Sequence, residues 1–260
     1  MKIMDVVKGA LRNPTRHTFG RCSICGHRTI FICTDRRNHG NNMYCPFCVS
    51  SARKRHVARA LLEVLDRDEL HLAAIPPAEL PRIYNTDDRD AFSRIIRGQA
   101  DYTASMFQPD VELGKEIRPG VTCQNLEALT FQDESFDVVI SEEVFEHVRH
   151  YEAGFREVYR VLKPGGFHIF TIPFNYAQAT VARVDTSGPE DVFLLPKHYH
   201  GDKIRGRILV YTDFGYDLFP FLESLGFENE VRNSTYFDHQ WGVFDSRVFI
   251  SRKPDGGKGA

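Results

Sequence analysis

The chain runs to 260 residues, room for one large domain with or without a small appendage. Apolar residues make up 42% and charged residues 26%, which excludes a disordered or fibrous chain. The net charge of −2 excludes a general electrostatic pull toward nucleic acid or membrane, and no run approaches the roughly 20 apolar residues that cross a bilayer. The opening Met1-Lys2-Ile3-Met4-Asp5 lacks the apolar stretch of a signal peptide, so the expected compartment is the cytoplasm.

The charge is uneven along the chain. Up to about residue 60, bases such as Lys8, Arg12, Arg16, Arg21, Arg28, Arg36, Arg37 and Arg53-Lys54-Arg55 outnumber the acids Asp5 and Asp35. Four of the six cysteines fall in this region as two close pairs, Cys22-x2-Cys25 and Cys45-x2-Cys48, nineteen residues apart. Each pair can grip one side of a tetrahedral ion, and in a reducing compartment the spacing predicts a four-thiolate zinc site. Gly26 and Pro46 suit tight metal-binding knuckles. Cys33, His27 and His39 lie between the pairs as substitute ligands, but the four paired cysteines are the simpler set. A saturated four-cysteine site has no open position, so the expected metal is structural. Cys123 reads as a small buried residue of a strand.

Val57, Leu61, Val64 and Leu65 recur at helical spacing and predict a helix over Ser50–Asp66; Arg53-Lys54-Arg55 on it could meet a substrate, a partner or only water, a solvated charged face being the usual case. The zinc module and this helix are expected to occupy residues 1–66. Ala73-Ala74-Ile75-Pro76-Pro77 then reads as a linker. Beyond it short apolar runs alternate with helical stretches. Strands are expected at Arg82–Asn85, Asp101–Ser105, Val121–Gln124, Phe136–Ser141, Phe167–Pro173 and Arg247–Ser251. Helices are expected at Ala91–Arg97, Tyr151–Leu162 and Asp213–Leu225. The alternation predicts an α/β domain over residues 80–252, with a parallel sheet and its ligand at the carboxyl ends of the strands. The polar tail from Lys253 to Ala260 reads as disordered.

The most informative stretch runs from Leu129 to Pro173. It contains Phe136-Asp137-Val138-Val139, then Glu146-His147-Val148, then Arg160-Val161-Leu162-Lys163-Pro164-Gly165-Gly166 leading into Phe167–Pro173. In order and spacing this resembles the fourth strand, the following acidic helix start, and the helix, turn and fifth strand of class I S-adenosylmethionine-dependent methyltransferases, type 11-like. Phe214 to Phe227 resembles that family's last helix and the turn into its closing hairpin. The resemblance implies a Rossmann-like, doubly wound, seven-stranded sheet that binds S-adenosylmethionine. Physically, Pro164-Gly165-Gly166 stops a helix and allows a sharp turn into a strand.

The resemblance also implies roles by position. Asn85 takes the place of the usual acid at the end of the first strand, with Thr86 and Asp87 in a loop that carries no glycine through Ala91. Ser105 and Met106 stand where an acid normally holds the ribose. Asn125 and Leu126 fall beside the adenine. Ser141, Glu142 and Phe145 fall beside the adenine or the methyl donor. For the base that removes a proton from an acceptor, the candidates are His147 and, in an insertion running from Asn175-Tyr176 through Pro196–Asp202, His198 and His200. Tyr199 reads as packing.

The sequence supports three readings. The first is methyl transfer to a small molecule or glycan intermediate, on O, N or a carboxylate; some bacterial methyltransferases with a cysteine module and a following basic stretch resemble this chain. The second is RNA methylation, with the basic N-terminal region gripping phosphates. The third is a binding protein on a methyltransferase frame that has lost its cofactor loop.

Overall fold

The computed structural model describes residues 11, 17–34, 39–68, 71–96, 101–202, 206–234 and 238–256. The main sheet has eight strands: β1 (Ile83–Asn85), β2 (Tyr102–Met106), β3 (Glu116–Arg118), β4 (Val121–Cys123), β5 (Phe136–Glu142), β6 (Leu162–Thr171), β7 (Glu228–Asn233) and β8 (Arg247–Arg252). Their order is β7-β8-β6-β5-β1-β2-β4-β3. The pairs β1·β5, β5·β6 and β2·β4 are parallel, and β3 adds antiparallel to β4 at the edge. The fold is therefore α/β and Rossmann-like, with one short strand more than the seven expected. Val138, Val139, Ile140, Ile169 and Phe170 are all buried, as expected for strands covered on both faces.

Helices are α1 (Ala52–Val64), α2 (Ala91–Ile96), α3 (Tyr151–Val161) and α4 (Leu218–Ser224). Ser51 caps α1 by accepting a hydrogen bond from Lys54 N, and Asp66 in a left-handed conformation ends that stretch, two residues past Val64. Asp90 caps α2 through Ser93 N at 2.7 Å. Arg97, the expected end of α2, lies outside the described residues. None of the described helices is long and apolar enough to cross a membrane.

Several expectations change. The helix expected over Asp213–Leu225 starts only at Leu218, because Thr212–Gly215 is a strand between Phe174–Asn175 and Val181–Ala182. A Cβ on Gly215 would meet the Gln178 carbonyl at 2.2 Å, so only glycine admits that close pairing. The Lys163–Gly166 turn lies inside β6, where the register jumps from Phe136↔Leu162 to Val138↔Phe167. Gly165 takes a φ of 79°, and a Cβ on Gly166 would meet the Asp137 and Lys163 carbonyls at 2.9 Å. Glu146-His147 stands in a single 3-10 turn, Phe145–His147, rather than at the start of a helix. The tail expected from Lys253 begins too early, since Lys253 pairs with Gly165 and Gly166 through its backbone and reaches the Tyr159 and Leu162 carbonyls through Nζ. Residues 257–260 of that tail lie outside the described residues.

The chain gathers into two compact units, each built from separated stretches. One compact unit gathers 1–81, 87–102 and 230–250; the other gathers 82–86, 103–229 and 251–260. Residues far along the chain belong to the first unit: Arg55 donates to the Trp241 and Gly242 carbonyls. The expected linker Ala73–Pro77 is part of that unit. Leu72 N and Ala73 N donate to the Ser23 and Ile24 carbonyls, and Leu72 and Ile75 are buried.

Two buried histidines tie stability to pH. In the second unit, His168 is bonded to Ser141 at 2.8 Å, and burial holds it down to about 3. In the first unit, His56 is held down to about 4, chiefly by burial. Both are neutral in the folded protein at pH 7. Below about pH 6.5 the unfolded chain takes up protons that the folded chain refuses. Stability is therefore expected to fall as pH drops from 6.5 toward 4.5, by up to about 1.4 kcal/mol per pH unit for each histidine. Melting temperature against pH checks this. His168→Phe, which keeps an aromatic ring against Phe170, should flatten the slope; an unchanged slope refutes the assignment.

Candidate functional site

The second unit carries the strand ends. Register places Asn85 opposite Ile140, Ser141 opposite Phe170 and Glu142 opposite Thr171, so the carboxyl ends of β1, β5 and β6 share one edge. Glu143 follows with a φ of 52°, a conformation that a side-chain-bearing residue adopts only under constraint, and its N–H donates to the Thr171 carbonyl. Such strain commonly accompanies a functional strand end.

Only part of the expected cofactor set reaches this edge. Asn85 is buried at the end of β1, and Thr86 is half-buried with its N–H on the Ile140 carbonyl. Glu142 is half-buried at the end of β5, and Asn125 is half-buried, its Oδ1 accepting from Glu127 N. Leu126 is buried, and Met106 is buried with its sulfur accepting from Gln108 Nε2. Three residues are turned to packing instead. Ser105 is locked to the Tyr84 hydroxyl at 2.8 Å, Ser141 is locked to His168, and Phe145 is fully buried against Phe155 with ring centroids 3.9 Å apart.

The histidines sort by geometry. The insertion expected as a loop is a set of short paired strands, and Tyr199–Asp202 pairs with Gly206–Leu209. This brings His200 to Glu146, with Nδ1 3.4 Å from Oε1. His147 Nε2 lies 3.7 Å from the same oxygen, and its Nδ1 is 2.7 Å from the Leu209 carbonyl. The Glu146 carboxylate beside His200 raises that imidazole above the usual histidine range. His198 is exposed, and its ring meets the His200 ring edge-on. Glu146, buried and outside the expected site set, is the residue that sequence reasoning missed. Its one signal was its place beside His147 in the motif.

The first unit carries the four cysteines. Cys22 and Cys48 sulfurs are 3.6 Å apart, Cys25 and Cys45 sulfurs 3.7 Å, and all four lie within 4.8 Å of one another. A tetrahedral ion with sulfur bonds of about 2.3 Å would set its ligands about 3.8 Å apart, so the thiols fit one. Crowding splits their ionisation: hydrogen bonds from Cys25, Cys45 and Cys48 push Cys22 well below the usual thiol range, and its neighbour Cys22 pushes Cys45 well above. The two knuckles share one pattern. Cys22 N donates to the His27 carbonyl and Gly26 N to the Cys22 carbonyl; Cys45 N donates to the Ser50 carbonyl and Val49 N to the Cys45 carbonyl. Gly26 and Val49 both have positive φ, 79° and 57°. The second knuckle thus holds a β-branched residue where glycine serves the first. His27 stacks on Phe47, and Cys33 is a buried strand residue. The His39 side chain lies outside the described residues.

Arg53-Lys54-Arg55 is not a solvated face. Arg55 is completely buried, donating to the Ser50, Met43, Trp241 and Gly242 carbonyls and stacking over Phe31 at 4.0 Å. Lys54 Nζ reaches Asp90 at 3.2 Å and Asp87 at 3.5 Å, in the glycine-free loop. Ser93 Oγ donates to the Asp87 carbonyl and bonds to the Tyr102 hydroxyl, so the loop is held from within this unit.

Residues 99–170 match the methyltransferase domain family. The chain is 32% identical over 93 residues to 24-methylenesterol C-methyltransferase 2 of Oryza sativa subsp. japonica. It is 36% identical over 91 residues to the mitochondrial ubiquinone biosynthesis O-methyltransferase of Mus musculus. These matches cover 36% and 35% of this chain but only 24% of each relative. Among solved structures, an S-adenosylmethionine-dependent methyltransferase from Mesorhizobium loti is similar at 16% identity and a TM-score of 0.47, covering 79% of this chain and 99% of that one.

Arg55 provides a stability test. Arg55→Met keeps much of the volume but strands buried carbonyls, so it should destabilise by about 3 kcal/mol. For a chain of this size that is a fall in melting temperature of roughly 6–12 °C. A shift within 2 °C would show that the guanidinium is dispensable.

Proposed function

We propose that the chain is an S-adenosylmethionine-dependent methyltransferase acting on a small-molecule or glycan acceptor, with an N-terminal module held by a structural zinc ion. The observation that carries this reading is the position of the methyltransferase match. Residues 99–170 run from β2 through all of β6 but its last residue, including the strained strand end at Glu142-Glu143.

The residues at the strand ends suit the cofactor's chemistry. When bound, the cofactor supplies an electrophilic methyl group on a sulfonium. Asn85 and Thr86 offer an amide and a hydroxyl to its polar groups, Asn125 a second amide, and the carboxylates of Glu142 and Glu143 favour the sulfonium's positive charge. The chain's main task is to align acceptor and donor, which supplies much of the rate. A hydroxyl acceptor also has to lose a proton. Of the three candidate histidines, His147 and His200 converge on Glu146, so the proton is proposed to leave beside that cluster, taken by a free imidazole or by a base that the cluster holds. His198, exposed and away from Glu146 in that cluster, is left as a rim residue.

The names of the curated relatives, one for a sterol and one for ubiquinone biosynthesis, favour a small acceptor. RNA methylation loses support because Arg55 is buried and Lys54 is engaged by Asp87 and Asp90. The binding-protein reading keeps one observation, the glycine-free loop, and differs in its outcome. Calorimetry with S-adenosylmethionine is expected to show binding that weakens about ten-fold in Glu142→Ala, the scale of one lost charge–charge attraction. No binding at millimolar cofactor would leave only the binding-protein reading.

For zinc, protein purified without chelator should carry at least one tightly held ion per chain. Cys45→Ser should lose one ion and melt at lower temperature. An equal metal content in both proteins would refute the four-thiol site.

A further inference from the structure

Glu146 poses a problem that methyl transfer does not solve. Its side chain is 1% exposed, and neither carboxylate oxygen accepts a hydrogen bond from any described residue. A buried carboxylate left this way is costly, and natural proteins meet that cost with a cation. Two histidine nitrogens flank it. The Leu209 carbonyl can only accept, so His147 Nδ1 carries the proton and donates it at 2.7 Å. The neutral ring therefore turns a bare Nε2 lone pair toward Glu146 Oε1, 3.7 Å away. A proton on Nε2 would be out of hydrogen-bond reach at that separation. His200 Nδ1 lies 3.4 Å from the same oxygen, an ion pair when that imidazole is protonated. With the proton on His200 displaced, the cluster presents three ligand atoms to a common centre.

We propose that Glu146, His147 and His200 form a metal site of their own, for a divalent first-row transition ion such as zinc. The ligand atoms all lie within 4.8 Å of one another, and two of the separations, 3.4 and 3.7 Å, match the edge of a coordination polyhedron. An ion with bonds of about 2.1 Å would need about 3.4 Å between tetrahedral ligands. Two imidazoles and one carboxylate suit such an ion by donor type. The second layer is also built. The Leu209 carbonyl holds the His147 ring in the ligating tautomer, as outer partners of metal-bound histidines do. Tyr211 N donates to the Glu146 carbonyl and Val210 N to the His198 carbonyl, so Leu209–Tyr211 ties the 3-10 turn to the His200 strand. Unlike the four-thiol set, this set is incomplete. Three protein ligands leave a position for water or an acceptor oxygen, and His200, a third exposed, marks the open side.

The test needs no cofactor and does not depend on methyl transfer. Wild-type protein, His200→Ala and Glu146→Gln are equilibrated with zinc, dialysed against chelator-free buffer, and assayed for metal per chain by mass spectrometry. Each variant is expected to hold one equivalent fewer than wild type. In Cys45→Ser the zinc that remains should show nitrogen and oxygen neighbours, without sulfur, in X-ray absorption. Equal zinc counts in wild type and His200→Ala would overturn the proposal, leaving Glu146 and His200 a plain ion pair. His200 is half-exposed on a surface strand, so this variant stays informative even if Glu146→Gln fails to fold.

Discussion

The first unit depends on one buried positive charge. Arg55 has no solvent exposure, yet it lies near four thiols and donates to carbonyls from three separate stretches of chain. Burial pulls its guanidinium down, and the neighbouring cysteines push it back up. A four-thiolate zinc centre would carry two negative charges, which makes an adjacent buried cation favourable rather than merely tolerated. The guanidinium fork is what allows one side chain to serve several carbonyls at once.

From this anchor the α1 helix extends to the neighbouring loop. Lys54, adjacent to Arg55, reaches Asp87 and Asp90, while Asp90 also caps α2. A loop without glycine has lost the usual freedom of backbone approach to a ligand. Here it gains side-chain ties in exchange: Asp87, Asp90 and Ser93 all have bonded partners inside the unit. Its shape is set by charge and capping rather than by absent side chains.

Much of the fold was legible in the sequence because its signals are local. Apolar runs marked β1, β2, β4, β5 and β6 to within a few residues, apart from the early start of β6, and Gly165-Gly166 marked the tight passage into that strand. The cysteine spacing marked the thiol cluster, which distance then bore out. What was illegible depends on partners distant in sequence. The hydrogen bonds of Ser105 to Tyr84 and of Ser141 to His168 join residues 21 and 27 positions apart, so no local pattern marks them. Arg55 reads as a surface charge until residues 241–242 close over it. Thr212–Gly215 has helix-compatible spacing and becomes a strand only because two short strands flank it. Glu146 was hidden by its neighbour, since an acid beside a histidine carries no sign of being buried.

The interleaving of the two units has a consequence for how the chain is made. Arg55 closes on Gly242, 187 residues further along. Loop closure over such a separation is entropically expensive and slow relative to local contacts. During synthesis, the cysteine knuckles emerge long before the segment that covers Arg55. Arg55 therefore stays without that cover until residues 241–242 have left the ribosome. Early capture of a metal by the thiols would give the N-terminal segment a folded foothold, and would shield it from oxidation before the last strands arrive.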